Sequence, residues 1–326
     1  MRAQIIGTGS YAPEKVLTNH DLTKIVDTTD SWIVERTGIK QRHIAAEGEV
    51  TSDMALKAAL RALELAQTRP EDLDLIVVGT ISPDMPLPAA AAFLAHKLGA
   101  KKAFAFDVAA ACAGSLYAMS IASQYIATGV VKRALVVGVE LLSRLTDWTD
   151  RNTCVLFGDA AGAMVLGPSA DPERGVMSTH LHTDGAHTGI LCIPGGGSAH
   201  PQSAEVLAQK MHKVAMNGRE VYKFAVRALT DVVNEALSFN HLVANQVTHV
   251  IAHQANLRII EAVLGRLELP MSKAWLNIDR FGNTSSASLP MTLDEANRAG
   301  ALKPGDTIAM MAIGAGMSWG SAIVRW

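Results

Sequence analysis

The chain has 326 residues, 49% of them hydrophobic and 18% charged, with a formal net charge of −2. That length and apolar content suffice to bury a large core and exclude a disordered chain, and the near-neutral balance gives no basic footprint for nucleic acid. Three cysteines, Cys112, Cys154 and Cys192, make no disulfide framework. With no secretory signal in view they point to a reducing, cytoplasmic setting.

The opening residues read as a first strand, Ile5–Gly9. A polar loop follows, with helix-start chemistry at Thr29–Ser31. It puts Trp32 and Arg36 four apart on one helical face, an aromatic beside a guanidinium. Such a pair suits a ligand with a flat ring and phosphates, and equally an ordinary surface stack. Ser52–Ala66 is an amphipathic helix, Leu73–Val78 a buried strand and Ala89–Leu98 a helix.

Ala103–Val108 is a short apolar strand that runs through small residues into Cys112. From there apolar side chains recur at helical spacing: Leu116, Met119, Ala122, Ile126. The most apolar run, Val108–Ala122, falls short of the roughly 20 residues that a spanning helix needs. Cys112 therefore belongs where a strand hands over to a helix. Free N–H groups and the helix dipole there stabilise an anion and lower a thiol's pKa. On these residues alone, a buried cysteine that merely packs is the commoner case.

Arg133–Glu140 is another strand, and a turn of small residues, Phe157–Ala163, leads into the next. The stretch His180–Ser203 reads as Gly- and His-rich and irregular. No Cys or carboxylate stands at ligand spacing from His180, His182 and His187, so they read as exposed loop histidines and not as a metal site. Gly195-Gly196-Gly197 lacks the Lys-Ser/Thr of a phosphate loop.

The pattern then restarts. Gly218–Leu237 is a long amphipathic helix, Val247–Ala252 a strand that runs into His253, and Leu257–Leu267 a helix. Ala274–Ile278 is a strand, Asn283 leads into a helix ending at Arg298, and Thr307–Ile313 and Gly320–Arg325 are the last strands. Units of the first half recur in the second at an offset of about 170 residues, too long for a solenoid and right for a domain-scale duplication. Strands alternating with helices imply an α/β fold in two halves, residues 1–170 and 171–326. A pseudo-twofold axis between them brings Cys112, His253 and Asn283 together.

Several stretches, in order along the whole chain, carry a family resemblance. They are Gly7-Thr-Gly-Ser-Tyr-Ala-Pro13, Thr28-Thr-Asp-Ser-Trp-Ile-Val-Glu-Arg-Thr-Gly-Ile39 and Asp107-Val-Ala-Ala-Ala-Cys-Ala-Gly114. Further on come Asp147-Trp-Thr-Asp-Arg151, Phe157-Gly-Asp159, His253-Gln-Ala-Asn-Leu-Arg258, Gly282-Asn-Thr-Ser285 and Trp319-Gly-Ser-Ala-Ile-Val-Arg-Trp326. Together they resemble the thiolase superfamily, and within it the β-ketoacyl-acyl-carrier-protein synthase III family.

The resemblance implies a duplicated fold layered α-β-α-β-α, with two mixed sheets around a central helix pair. It implies a Cys112–His253–Asn283 triad that takes an acyl group from acyl-CoA and condenses it, with loss of CO2, onto malonyl-acyl carrier protein, initiating fatty-acid synthesis. Thr28, Trp32, Arg36, Arg151, Gly218 and Asn256 map onto contacts to coenzyme A, and Lys223 and Arg258 onto carrier-protein docking. A homodimer is implied, with no metal or redox cofactor, no membrane and no nucleic acid.

The chain departs from the family's pattern in three places. Ser115 stands where an aromatic is common, Ala315 replaces the middle glycine of a C-terminal run near the oxyanion site, and Leu87 lies in a region that lines the acyl pocket across the dimer. These affect the choice of starter, with acetyl the default and branched or longer chains open. Priming of a polyketide by the same triad also stays open. A silent acyl-CoA-binding protein has no need of a nucleophile, and a degradative thiolase needs a second cysteine, whereas none follows Cys192.

Overall fold

The computed structural model of the chain describes residues 1–326. One five-stranded sheet consists of β1 (Ala3–Tyr11), β2 (Leu75–Gly79), β3 (Phe104–Val108), β4 (Ala134–Glu140) and β5 (Ala160–Pro168). They lie in the order β1-β5-β4-β2-β3. β2 runs parallel to β3 and β4, and β5 antiparallel to β4 and β1. The other consists of β6 (Gly175–Thr183), β7 (His249–Ala252), β8 (Ala274–Trp275), β9 (Thr307–Gly314) and β10 (Ser318–Arg325). Its order, β6-β10-β9-β7-β8, repeats the first strand for strand, with the same directions.

The longer helices are α1 (Asp30–Thr37), α2 (Thr51–Leu65), α3 (Ala90–Leu98), α4 (Gly114–Ala127), α5 (Gly218–Phe239), α6 (Leu257–Arg266) and α7 (Ser288–Arg298). Side-chain alternation sorts them into layers. On β2, Leu75 and Val77 face inward, where they meet Leu116 and Met119 of α4 and Leu289 and Leu293 of α7. Ile76 and Val78 face outward, onto Met54 and Ala58 of α2 and Leu94 of α3. In the second sheet Ile308 and Met310 of β9 join the central layer, while Ala309 and Met311 meet Phe224 and Leu229 of α5 and Ile260 of α6. Strands covered on both faces read as continuous apolar runs, which is why β2, β4 and β9 were legible. The result is the layered α-β-α-β-α arrangement around a central helix pair, α4 and α7.

α4 is buried on almost every side, Leu116, Ala118, Met119, Ser120, Ala122, Ser123 and Ile126 among the buried residues, as a helix between two sheets must be. α7 is as deeply buried but carries Asp294. That carboxylate accepts hydrogen bonds from Thr8 Oγ1 (2.7 Å), Ser10 Oγ (2.6 Å) and Arg298 Nε (2.8 Å), which ties the central helix to β1. A Cβ on Gly138, near the end of β4, would overlap the Ser286 carbonyl oxygen just before α7. Only glycine lets the chain pass so close.

Two expectations are corrected. The stretch from His180 is not an irregular loop at its start: Gly175–Thr183 is β6, the edge strand of the second sheet. Its polar residues are half-buried, so no apolar run reveals it. His180 and His182 both meet Glu235 of α5, at 3.0 and 2.7 Å. The strand expected over Ala274–Ile278 stops at Trp275. Gln254 Oε1 accepts hydrogen bonds from the Asn277 and Ile278 N–H groups (3.1 and 3.2 Å), which turns the chain into a short helix, Ile278–Phe281.

Candidate active site

The parallel strands of both sheets deliver their carboxyl ends to one region, the usual place for a site in such folds. Cys112 comes after β3, His253 directly after β7, Asn283 after β8, and Gly314-Ala315 closes β9. Cys112 sits in a tight turn, Ala111–Ala113, that opens into α4. Ala111 holds a left-handed φ of +45°, a conformation that costs a non-glycine residue about 1 kcal/mol. The turn faces Ser285–Ala287, which opens into α7 in the same way, with Ser285 at φ +52°. A Cβ on Gly314 would overlap the Cys112 backbone nitrogen, so β9 packs directly under the turn.

Cys112 is 8% exposed. Burial pushes its thiol up to about 12, the nearby Ser285 hydroxyl acts in the opposite direction, and the buried Glu140 carboxylate adds to the rise. The sequence led us to expect a thiol lowered by the helix start. The Cys112 N–H does favour the anion, but burial with no facing cation outweighs it, so the resting residue is a neutral thiol.

His253 is also buried. Burial lowers its imidazole to about 3, so the ring is neutral at physiological pH and carries one N–H. Its Nδ1 is buried without a partner, which leaves Nε2 as the nitrogen able to meet a ligand. Asn283 is held by its backbone, whose N–H donates to the Leu156 carbonyl (2.9 Å) and whose carbonyl accepts from Gly158 (3.0 Å). Its Oδ1 accepts from the Ser285 N–H at 2.9 Å, so the free end of the amide is its donor, Nδ2.

A cavity of about 240 Å³ opens beside the sulfur. Apart from Ser285 its walls are apolar, with Ile81, Leu142, Phe157, Leu191, Cys192, Ile193, Val214 and Ala315 around Cys112. A larger groove of about 1110 Å³ lies next to it. Residues 155–156 and 216–218 line the groove while 157 and 214 line the cavity, so the same chain segments contribute to both.

Trp32, Arg36, Gly218, Asn256, Lys223 and Arg258 all line the groove, and Arg219 adds another cation. Arg36 lies over the Trp32 ring at 4.4 Å, and so does Arg151, also at 4.4 Å. Thr28 and Arg151 are not part of the groove wall. Thr28 Oγ1 is buried without a partner close to the start of α1, and Arg151 lies against the Trp32 ring. Of the basic residues expected at the mouth, Lys223 pairs with Glu220 (3.0 Å). Leu87 projects from the surface, 83% exposed, and does not touch the cavity of its own chain.

Two residues of the site escaped sequence reasoning. Glu140, at the end of β4, is fully buried, and it accepts a hydrogen bond (3.1 Å) from the hydroxyl of Ser285, which lines the Cys112 cavity. The available signal was a carboxylate closing the otherwise apolar strand Ala134–Val139. No group of three or more His, Cys, Asp or Glu side chains is placed to hold a metal ion. No helix is long and apolar enough to cross a membrane.

A duplicated thiolase-like fold with a buried cysteine, a neutral histidine and an asparagine amide at its centre defines a condensing enzyme, an acyltransferase. Family models described as 3-oxoacyl-[acyl-carrier-protein (ACP)] synthase III match residues 106–185, and as its C-terminal region residues 237–326. The chain is 52% identical to beta-ketoacyl-[acyl-carrier-protein] synthase III of Desulfitobacterium hafniense, over 99% of this chain and 97% of that one. It is also 52% identical to the protein of the same name from Xylella fastidiosa, over 99% and 98%. The crystal structure of 3-oxoacyl-[acyl-carrier-protein] synthase III from Aquifex aeolicus superposes with a TM-score of 0.92 at 43% identity, covering 99% of this chain and all of that one. The chain belongs to the 3-oxoacyl-[acyl-carrier-protein] synthase III family.

Proposed function

We propose that this chain starts fatty-acid synthesis in the cytoplasm by moving an acyl group from coenzyme A onto Cys112 and then onto the carbon left by decarboxylation of malonyl-acyl carrier protein. Cys112 attacks the thioester carbonyl, with the Cys112 and Ala315 backbone N–H groups as donors to the oxyanion. CoA leaves through the groove as its thiol, taking up the proton that Cys112 gives up. Malonyl-acyl carrier protein then places its thioester oxygen against His253 Nε2–H and Asn283 Nδ2–H. Both donors are uncharged and fixed, so they strengthen as CO2 departs and charge collects on the enolate oxygen. The enolate carbon attacks the acyl-Cys112 carbonyl, and the β-ketoacyl thioester leaves.

The observation that carries this reading is an apolar cavity at the sulfur beside a cationic groove built from the same chain segments. The cavity takes the acyl chain, and the groove takes coenzyme A, its phosphates among Arg36, Arg219 and Arg258. The adenine is proposed to enter between Trp32 and Arg151 by displacing the guanidinium from the ring. Thr28, with its unpartnered hydroxyl, and Gly218 and Asn256 along the groove complete the contacts. Lys223 and Arg258 at the lip receive the acidic carrier protein. Acetyl is the default primer, and a cavity of about 240 Å³, roughly eight water volumes, leaves room for longer ones.

Halves 1–170 and 171–326 supply the nucleophile and the enolate donors respectively. A homodimer is supported by the open outer edge of β3, which pairs only with β2. That edge carries Phe104, 44% exposed, and apolar Leu87 and Met85 are exposed in the segment before α3. An unpaired apolar edge is a surface that a second copy covers.

The test supplies acyl-CoAs of increasing chain length with malonyl-acyl carrier protein and measures β-ketoacyl product and CO2. Product from acetyl and from longer primers supports the reading. Absence of product with every donor, from folded protein, overturns it.

A further inference from the structure

The Asn283 amide is held by a chain of hydrogen bonds that ends on a buried carboxylate. Asn283 Oδ1 accepts from the Ser285 N–H at 2.9 Å, and Ser285 Oγ donates to Glu140 Oε1 at 3.1 Å. Ser285 has a φ of +52°, a conformation that a non-glycine residue keeps only where its surroundings hold it. Its counterpart in the first half, Ala111 at φ +45°, is braced from below: a Cβ on Gly314 of β9 would come within 3.0 Å of the Ala111 Cβ. At Ser285 the side-chain brace is the bond to Glu140.

The carboxylate is itself fixed. Glu140 Oε2 accepts from Thr80 Oγ1 (3.3 Å), the Ile81 N–H (3.2 Å) and Ser82 Oγ (2.6 Å). Ser82 Oγ accepts in turn from the Leu141 N–H at 2.8 Å, next to Glu140 on the same chain. Three donors on one oxygen stop the carboxylate from turning, so Oε1 is a fixed point on the end of β4. A carboxylate buried without a cation is costly, and every hydrogen bond that Glu140's side chain makes runs to one of two segments of the cavity wall, the loop at Ile81 or the turn at Ser285. A hydrogen bond onto an ionised acceptor is also about twice as strong as a neutral one.

We propose that Glu140 is a positioning residue for the enolate step: through Ser285 it fixes the turn that aims the Asn283 amide donor at the malonyl thioester oxygen. This rests on the proposed reaction, in which Asn283 acts after Cys112 is acylated. A donor to a developing charge acts only if it is already in place, and a misplacement of about 1 Å costs on the order of 100-fold. Glu140 itself touches neither substrate nor the reacting atoms.

The test separates the two half-reactions. Cys112 is first loaded with acetyl-CoA and the adduct read by intact mass. Free acetyl-CoA is then removed, and malonyl-acyl carrier protein is added in a single turnover while CO2 and loss of the adduct are timed. Ser285→Ala removes the hydroxyl and keeps the N–H that holds Asn283, and Ala111 shows that alanine fits such a turn; thermal unfolding checks that the variants fold. Discharge should slow by about 10–100-fold, and loading should change by much less. Glu140→Gln should slow discharge as well, because an amide cannot accept at both ends, and should add nothing to Ser285→Ala. Neither substitution should slow discharge further in an Asn283→Ala background, since the effect passes through that amide. A merely structural role would lower the melting temperature and slow discharge equally with or without the Asn283 amide. Wild-type discharge in either single variant, or losses that multiply with Asn283→Ala, overturns the positioning role and leaves the reaction standing. A wild type that neither loads nor discharges overturns the reaction, and this role with it.

Discussion

The turns that start α4 and α7 share one backbone and carry different chemistry. Each has a left-handed residue, Ala111 (φ +45°) or Ser285 (φ +52°), followed by a turn that opens into a central helix. At the position after it, the first half has Cys112 and the second Ser286. Ser286 Oγ donates to the Gly79 carbonyl at 2.6 Å and is spent on holding the halves together. Cys112 has no such duty and opens into the cavity. Duplication thus supplies two matching helix starts. One carries the proposed nucleophile, and the other is a support whose Ser285 holds Asn283 and bonds Glu140.

The largest effect is expected from exchanging duties at the equivalent positions. Cys112→Ala should abolish acyl loading. Ser286→Ala should leave loading intact and lower stability by about 1 kcal/mol, the usual worth of one buried hydrogen bond. Intact mass after incubation with acyl-CoA and urea unfolding read the two outcomes.

Asn283→Ala separates the two half-reactions. Cys112 should still acylate, while CO2 release from malonyl-acyl carrier protein falls by about 10²–10³, the typical cost of one lost donor to a developing oxyanion. Equal loss in both steps would mean that the second-half turn serves the nucleophile as well.

Further out, Trp32→Ala should raise the KM for acyl-CoA about tenfold, consistent with roughly 1–2 kcal/mol of stacking and cation–π contact. The KM for malonyl-acyl carrier protein should stay unchanged.

A further prediction concerns pH and leaves activity near neutral pH aside. His253 is buried neutral with its folded value near 3, against about 6.5 unfolded. The unfolded chain therefore binds the extra proton first, and stability is full above about pH 6.5 and is lost as pH falls toward 3. His253→Asn should flatten that acid limb in pH-dependent denaturation, with little change at pH 8.

Most of the fold was legible because β2, β4 and β9 are apolar on both faces and α2 and α5 are amphipathic. β6 was not, since an edge strand with half-exposed Ser178, Thr179, His180 and His182 offers no apolar signal. The short strand β8 was overrun because Gln254, distant in sequence, ends it. At the site, Trp32 and the other groove residues were legible from motifs, and the same motifs nominated Cys112, His253 and Asn283 as candidates. The ionisation of Cys112 was not, because burial by the second sheet sets it and no local pattern reports burial from a residue about 200 positions away. Glu140 and Ser285 were missed for the same reason: their partnership spans 145 positions.

The central claim is that the two turns act in sequence, Cys112 first and the Asn283 side second. Peptide mass mapping of the enzyme after acyl-CoA, and again after malonyl-acyl carrier protein, tests it most directly. The account predicts an acyl adduct on Cys112 alone, discharged by the malonyl partner with release of β-ketoacyl product. An adduct on Cys192 or another residue, or one on Cys112 that malonyl-acyl carrier protein leaves in place, would contradict it.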